Sequence, residues 1–163
     1  MGESPGAGSG GDGAGARPQI LIVNGPNLNL LGRREPHLYG RETLADAEKL
    51  VREKAHAFGL GMEFFQSNFE GEIIERLHAA RGVASGVIVN PAGLTSVSIS
   101  LLDALLAVEL PVVEVHVTNI HQRESFRHFS YVSTMAEAVI AGAGIAGYGF
   151  AVEVLAERIR RRS

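Results

Sequence analysis

Two hydrophobic periodicities take turns along this chain. Short apolar runs, of which Gln19 to Val23 (QILIV) is the first, read as buried strands. Between them, apolar residues recur at the three- and four-residue spacing of an amphipathic helix. The pattern predicts strands over 19–23, 61–66, 86–90, 111–116 and 137–141, and helices over 43–58, 70–81, 95–108 and 146–160. The first helix carries the signal most fully: Leu44, Ala47, Leu50, Val51, Ala55 and Phe58 share one face, Thr43 with Asp46 forms a capping box, and Gly59 closes the end. Pro111 ends the third helix and opens a strand of Val112, Val113 and Val115, a run suited to a parallel strand buried on both faces. Strands that alternate with helices imply a parallel sheet covered on both sides, an α/β fold. One connection breaks the rhythm. After the first strand no helical pattern starts before Thr43, whereas a strand-to-helix loop usually runs about 2–6 residues. A segment as long as 24–42 in a compact domain is expected to be a lid or a binding loop.

Composition narrows the class. A chain of 163 residues suits one domain, here 19–163, preceded by a Gly-, Ala- and Ser-rich stretch over 1–18 with almost nothing to bury, expected to be a disordered tail. The net charge of −3 with 20% charged residues leaves no electrostatic footprint for nucleic acid. Cysteine is absent, which removes disulfides, thiolate metal sites and cysteine nucleophiles. No apolar run approaches the ~18–20 residues of a membrane-spanning helix, and the N-terminus has neither a basic segment nor an apolar one behind it, so a cytoplasmic location is expected.

Ligands of such sheets bind beyond the carboxyl ends of the strands, near the point where strand order reverses. Polar residues gather at those positions: Asn24 and Asn27 after the first strand, Asn68 and Glu70 after the second, Asn90 after the third, and His116 to His121 after the fourth. Each alone is an ordinary turn or cap residue. Their convergence on one edge is what suggests a site. Tyr39, in the long connection, has two readings, a packed aromatic with one hydroxyl partner or a base. As a base near neutral pH its phenol, with a reference pKa of about 10, must fall by about 2–3 units, which a close arginine can supply. Arg33 and Arg34 stand near enough in sequence for a guanidinium to lie beside the phenol. Glu114 and His116 are two apart on a strand and so share a face, where the carboxylate can orient the imidazole directly or through a neighbour. Glu114, His116, His121 and His128 together raise the alternative of a metal, but no HExxH or H-x-x-x-H helical spacing supports it, and no metal is expected. His121 and His128 read as structural. Val117 and Thr118 offer backbone N–H groups and a hydroxyl to a carboxylate. Neither a dinucleotide-binding nor a P-loop glycine pattern occurs, and the series Gly142, Gly144, Gly147, Gly149 reads as close helix packing.

The segment Asn24 to Tyr39, NGPNLNLLGRREPHLY, resembles the opening motif of type II 3-dehydroquinate dehydratases. The resemblance continues through Gln66-Ser67-Asn68-x-Glu70-Gly71, Asn90-Pro91, Glu114-Val115-His116, Asn119-Ile120-His121 and Arg123-Glu124-x-Phe126-Arg127-His128-x-Ser130-Tyr131, in order, over residues 19–160. It implies a flavodoxin-like, three-layer, doubly wound sheet of five parallel strands in the order 2-1-3-4-5. It implies a small-molecule substrate and a cofactor-free anti elimination of water from 3-dehydroquinate. In that chemistry Tyr39, activated by Arg34, removes the proton beside the ketone. A water held by Asn27 stabilises the enolate, and His116 protonates the leaving hydroxyl, which Asn90 holds. Val117 and Thr118 bind the substrate carboxylate, Arg127 and Asp103 contact substrate or a neighbouring subunit, and the chains assemble as trimers packed into dodecamers.

The departures cluster after the third strand, where the family's usual Asn-Pro-Gly-Ala-Tyr-Thr-His-Thr-Ser is replaced by Asn90-Pro91-Ala92-Gly93-Leu94-Thr95-Ser96-Val97-Ser98. A substrate-contacting histidine is Ser96, an arginine before the helix aspartate is Leu102, and two other frequent histidines are Phe69 and Phe129. A lost hydrogen bond to a buried partner costs about 1–3 kcal/mol. The alternatives are therefore the same chemistry on a related cyclic hydroxy ketone, or a flavodoxin-like binding or assembly protein without turnover.

Overall fold

In the computed structural model, which describes residues 15–33 and 35–163, five parallel strands form one sheet: β1 (Gln19–Asn24), β2 (Gly61–Gln66), β3 (Gly86–Asn90), β4 (Val112–His116) and β5 (Ala138–Ala141). Their order is β2-β1-β3-β4-β5, the expected 2-1-3-4-5. The helices are α1 (Pro36–Tyr39), α2 (Leu44–Ala57), α3 (Glu70–Ala80), α4 (Ile99–Ala107) and α5 (Ala146–Arg162). Residues 1–14 of the expected tail lie outside the described residues, and 15–18 are exposed and in no helix or strand. No helix among the described residues is long and apolar enough to cross a membrane.

Alternation along the strands divides the core in two. Ile20 and Ile22 of β1, with Ile88, Val113 and Val115, pack against Val51 and Ala55 of α2 and Val152 and Leu155 of α5. Their sequence neighbours Leu21 and Val23, with Val87, Val89 and Val112, face the other way, onto Ile73 and Leu77 of α3 and Leu101 and Leu105 of α4. Both faces of β1, β3 and β4 are thus buried, which is why those strands are continuous apolar runs. Each fully buried Val, Leu or Ile contributes about 1.5–3 kcal/mol, so three layers of them hold the sheet.

Two boundaries differ from the sequence reading. The helix expected over 95–108 begins at Ile99, because Ala92–Ser96 forms a 3₁₀ turn and Ser98 adopts an extended conformation. The Ser98 hydroxyl accepts the Leu101 N–H at 2.9 Å, so the serine caps α4 rather than joining it. The connection 24–42 is also less irregular than expected. It contains a 3₁₀ turn at Leu28–Leu30 and the single turn of α1, which starts on Pro36, a residue with φ preset for a first helical position. One turn is too short to carry a helical periodicity.

Strand register sets up the edge where the site lies. Asn24 is opposite Gln66 on one side and Asn90 on the other, so the last residues of β2, β1 and β3 lie abreast. The loops leaving β1 and β3 then touch: Gly25 N–H donates to the Asn90 carbonyl at 2.8 Å. A Cβ on Gly25 would lie 2.3 Å from the Pro91 oxygen, a backbone atom that cannot step aside. Gly25→Ala is therefore expected to destabilise the fold by about 1–3 kcal/mol, the usual cost of overpacking, seen as a lower urea midpoint with an unchanged slope. An unchanged midpoint would contradict the close approach.

Candidate active site

The loops after β1, β3 and β4 enclose a cavity of about 520 Å³ at the carboxyl edge, beside the β1/β3 point where strand order reverses. That size suits a small molecule. Asn27 and Tyr39 line it from the first loop, Asn90, Thr95 and Ser96 from the second, and His116, Val117, Thr118, Arg123 and Arg127 from the third.

Tyr39 ends α1, half-buried. Arg34, the expected partner, lies outside the described residues. Among those described, the guanidinium beside the phenol belongs to Arg123: its Nη1 donates to Tyr39 Oη at 2.9 Å, and its Cζ lies 5.6 Å from the ring centroid. The bond to Tyr39 is the main reason the Arg123 guanidinium holds its proton more firmly than usual. The His128 imidazole Nε2 donates to the Arg123 carbonyl at 2.7 Å and so fixes the backbone from which the guanidinium reaches. His121 and His128 face each other with ring centroids 5.9 Å apart, and neither lines the cavity. Sequence reasoning quoted Arg123 within a motif but gave it no role. Tyr39 and Arg123 are 84 positions apart, and only the topology brings them together.

His116, the last residue of β4, is buried, and its Nε2 lies 2.6 Å from Glu114 Oε1. The contact is direct, which leaves Nδ1 as the nitrogen available to the cavity. Glu114 is 0% exposed and collects two further donors, the Ser130 hydroxyl at 2.6 Å and the Ser133 hydroxyl. Burial pushes the Glu114 carboxyl up, but the bonds from His116, Ser130 and Ser133 together outweigh it and hold the group below the usual carboxylate range. It is an anion built to meet a donor.

The remaining polar groups divide by whether they are free. Asn27 has a left-handed backbone (φ 69°), its N–H donates to Asn68 Oδ1 at 2.8 Å, and its carboxamide makes no hydrogen bond among the described residues. Asn90 is buried, with its carboxamide held at both ends by Ala92 N–H and the Tyr148 hydroxyl. Ser96 spends its hydroxyl on the Phe129 carbonyl at 2.8 Å, so it offers the cavity little in place of an imidazole. Thr95, which sequence reasoning passed over, is 4% exposed, and its hydroxyl has no partner among the described residues. Arg127 lines the cavity, with Nε 2.9 Å from Glu124 Oε2. Asp103 is exposed on α4 and is not part of this chain's cavity wall. No group of three or more metal-ligating side chains occurs among the described residues.

Glu114 generates a prediction with a definite sign. A carboxyl depressed in the folded state contributes stability in full above its unfolded pKa, about 4.3, and loses it as pH falls through the lower folded value. Glu114→Gln is expected to cost about 1–3 kcal/mol at pH 7, the usual loss for a broken buried network, with the gap to the parent closing only below about pH 4.3 in denaturant titrations. A gap that stays constant down to pH 3 would contradict the charged state of Glu114.

Comparison with known proteins agrees with this geometry. Residues 18–156 match the family model described as dehydroquinase class II. The chain is 57% identical over 145 residues to 3-dehydroquinate dehydratase 1 of Corynebacterium efficiens, covering 89% of this chain and 96% of that one. It is 51% identical over 146 residues to catabolic 3-dehydroquinase 2 of Aspergillus terreus, covering 90% and 99%. Among solved structures, the type II dehydroquinase of Butyrivibrio crossotus superposes with a TM-score of 0.83 at 36% identity, covering 86% of this chain and 99% of that chain. By sequence, by fold and by the arrangement at its strand ends, this chain belongs to the class II dehydroquinase family.

Proposed function

We propose that this protein is a type II 3-dehydroquinate dehydratase, a hydro-lyase that converts 3-dehydroquinate to 3-dehydroshikimate through an enolate. The observation that carries the reading is the presence of two units suited to proton transfer at one cavity: Tyr39 with Arg123, and His116 with Glu114. An arginine stays protonated throughout and so favours the anionic form of the oxygen to which it donates. The Tyr39 oxygen takes a proton from the carbon beside the ketone, and the released electron pair passes to the carbonyl oxygen, giving the enolate. Asn27, whose carboxamide is uncommitted, holds the water that stabilises this oxygen. When the enolate collapses, the ketone re-forms, the new carbon–carbon double bond is made, and the carbon–hydroxyl bond breaks. His116 Nδ1 supplies the proton with which that hydroxyl leaves as water, and Asn90 steadies it. Glu114, accepting from Nε2, balances the imidazolium before transfer. No step requires a cofactor.

The substrate carboxylate is assigned to Val117 and Thr118 at the end of β4, and the ring hydroxyls to Arg127 and Thr95. One observation favours a second reading, a related cyclic hydroxy ketone: Ser96 is turned to the Phe129 carbonyl and away from the role of the histidine it replaces. Arg34 is proposed to act with Arg123 on Tyr39. The exposed apolar residues Phe69, Val97 and Ile99, together with Asp103 on the same helix as Ile99, support a homo-oligomer of trimers assembling to a dodecamer, in which Asp103 meets a neighbouring subunit. A cytoplasmic setting, in the shikimate pathway or in quinate catabolism, fits this chemistry.

Turnover of 3-dehydroquinate by the purified protein, followed through the absorbance of the enone, tests the proposal. Tyr39→Phe and His116→Ala are each expected to lower kcat by about 10²–10⁴, the usual contribution of a positioned acid or base. Arg123→Lys, which keeps a charge but loses the fork geometry, is expected to lower kcat by about tenfold or more with a smaller change in KM. Binding of a related ring ketone without turnover of 3-dehydroquinate would favour the second reading. Neither binding nor turnover would end the enzymatic one.

A further inference from the structure

We propose that Tyr148 is a positioning residue for this reaction: its buried hydroxyl fixes the way the Asn90 carboxamide faces the cavity. The inference rests on the dehydratase reading above. Tyr148 lies in the first turn of α5, 0% exposed, within the core that α2 and α5 build on the sheet. The glycines on either side, Gly147 and Gly149, are buried; a Cβ on Gly147 would meet Ile140 of β5 and one on Gly149 would meet Leu50 of α2, so this turn sits close to both the sheet and α2. Its hydroxyl then touches the ends of two neighbouring strands. It donates to Asn24 Oδ1 at 2.6 Å and accepts from Asn90 Nδ2 at 2.9 Å. Tyr148 does not line the cavity and touches no reacting group.

Four hydrogen bonds run in one direction through it. Ala92 N–H donates to Asn90 Oδ1 at 3.2 Å, Asn90 Nδ2 to the Tyr148 oxygen, Tyr148 to Asn24, and Asn24 Nδ2 to the Phe65 carbonyl at 3.1 Å. The first group is a backbone N–H, which can only donate, and the last is a backbone carbonyl, which can only accept. Every amide and hydroxyl between them therefore has a single orientation. Turned over, Asn90 would set its NH₂ against the Ala92 N–H and its oxygen against a hydroxyl whose proton is already given to Asn24. Two like pairs in a buried site are strongly disfavoured, and bonds in such a row polarise one another in the same sense. Ala92, held in a left-handed conformation (φ 53°), keeps the first donor in place.

The consequence is chemical. A carboxamide has two N–H groups and an oxygen that accepts twice, and Asn90 uses one N–H and one acceptor position on this row. The remaining N–H and the remaining lone pair are what Asn90 presents to the leaving hydroxyl. Without the Tyr148 hydroxyl the row is cut in the middle, and the amide keeps only the Ala92 N–H, at 3.2 Å, to hold its orientation. The substrate still binds, through groups elsewhere in the cavity, so the loss falls on the chemical step.

Tyr148→Phe keeps the ring and removes the hydroxyl. With parental turnover of 3-dehydroquinate measured first, the variant is expected to lose kcat by about tenfold or more while KM stays within about threefold. In an Asn90→Ala background the same substitution is expected to change kcat by less than about twofold, because its effect passes through Asn90. By ¹⁵N NMR the Asn90 side-chain amide should exchange slowly with solvent in the parent and rapidly in Tyr148→Phe. Should Tyr148→Phe not fold, Asn24→Ala, which removes the acceptor of the Tyr148 proton, is judged by the same criteria. Parental kcat at equal folded fraction, losses that multiply in the double variant, or unchanged amide exchange would overturn the proposal. A parent without turnover would instead sink the dehydratase reading, and the exchange measurement alone would then decide the orientation of Asn90.

Discussion

Glu114 is a carboxylate with no access to water, set in the middle of a strand that otherwise holds three buried valines and His116. Burying such a charge costs several kcal/mol unless donors replace the water it gives up. Three donors do, and they come from two places: His116 from the same strand, Ser130 and Ser133 from the segment that follows. One anion thus fixes the imidazole and ties down the loop between β4 and β5. That loop also carries Arg123 and Arg127, whose backbone is held in addition by His128 on the Arg123 carbonyl. The two halves of the proposed proton transfer are not independent features that happen to share a cavity. One touches the buried charge, and the other draws its arginine from the segment which that charge ties to the sheet.

The sheet supplies the second constraint. In the order β2-β1-β3-β4-β5 the strands β2, β1 and β3 finish abreast and β4 ends one residue further on, so Gln66, Asn24, Asn90 and His116 crowd one edge. Asn24 looks at first like a site residue of the same kind as Asn27, yet it is fully buried and bonded to the Phe65 carbonyl and Tyr148. It works one layer behind the cavity, where it helps hold the layer in front. Residues that touch a ligand need partners that do not, and α5 reaches through the core to provide one.

Much of this was legible in the sequence, for physical reasons. β3 falls where period and composition placed it, because a strand buried on both faces reads as an apolar run, and β2, half-buried at the sheet edge, falls where its short apolar stretch placed it. Glu114 and His116 were legible as a pair because strand geometry alone puts them on one face. Other parts were not. The short helix α1 is one turn, below the length at which periodicity can speak, and α4 starts late because Ser98 serves as its cap. Arg123 was hidden for a different reason: Arg33 and Arg34 are close to Tyr39 along the chain, whereas the guanidinium found beside the phenol comes from the loop after β4. Sequence distance is a poor guide to a charge partner once five strands have been laid side by side. Ser96 was legible as a change from the family pattern but not in its effect, which depends on a carbonyl, Phe129's, that only the fold brings near.

The arrangement makes a stereochemical statement, since an anti elimination needs its base and its acid on opposite faces of the substrate ring. A crystal structure of the protein soaked with 3-dehydroshikimate measures this most directly. The ring should lie in the cavity between the Tyr39 oxygen on one face and His116 Nδ1 on the other, with Asn90 against the carbon that bore the hydroxyl. A ring with both groups on the same face, or one seated away from Tyr39 and His116, would contradict the proposed division of labour.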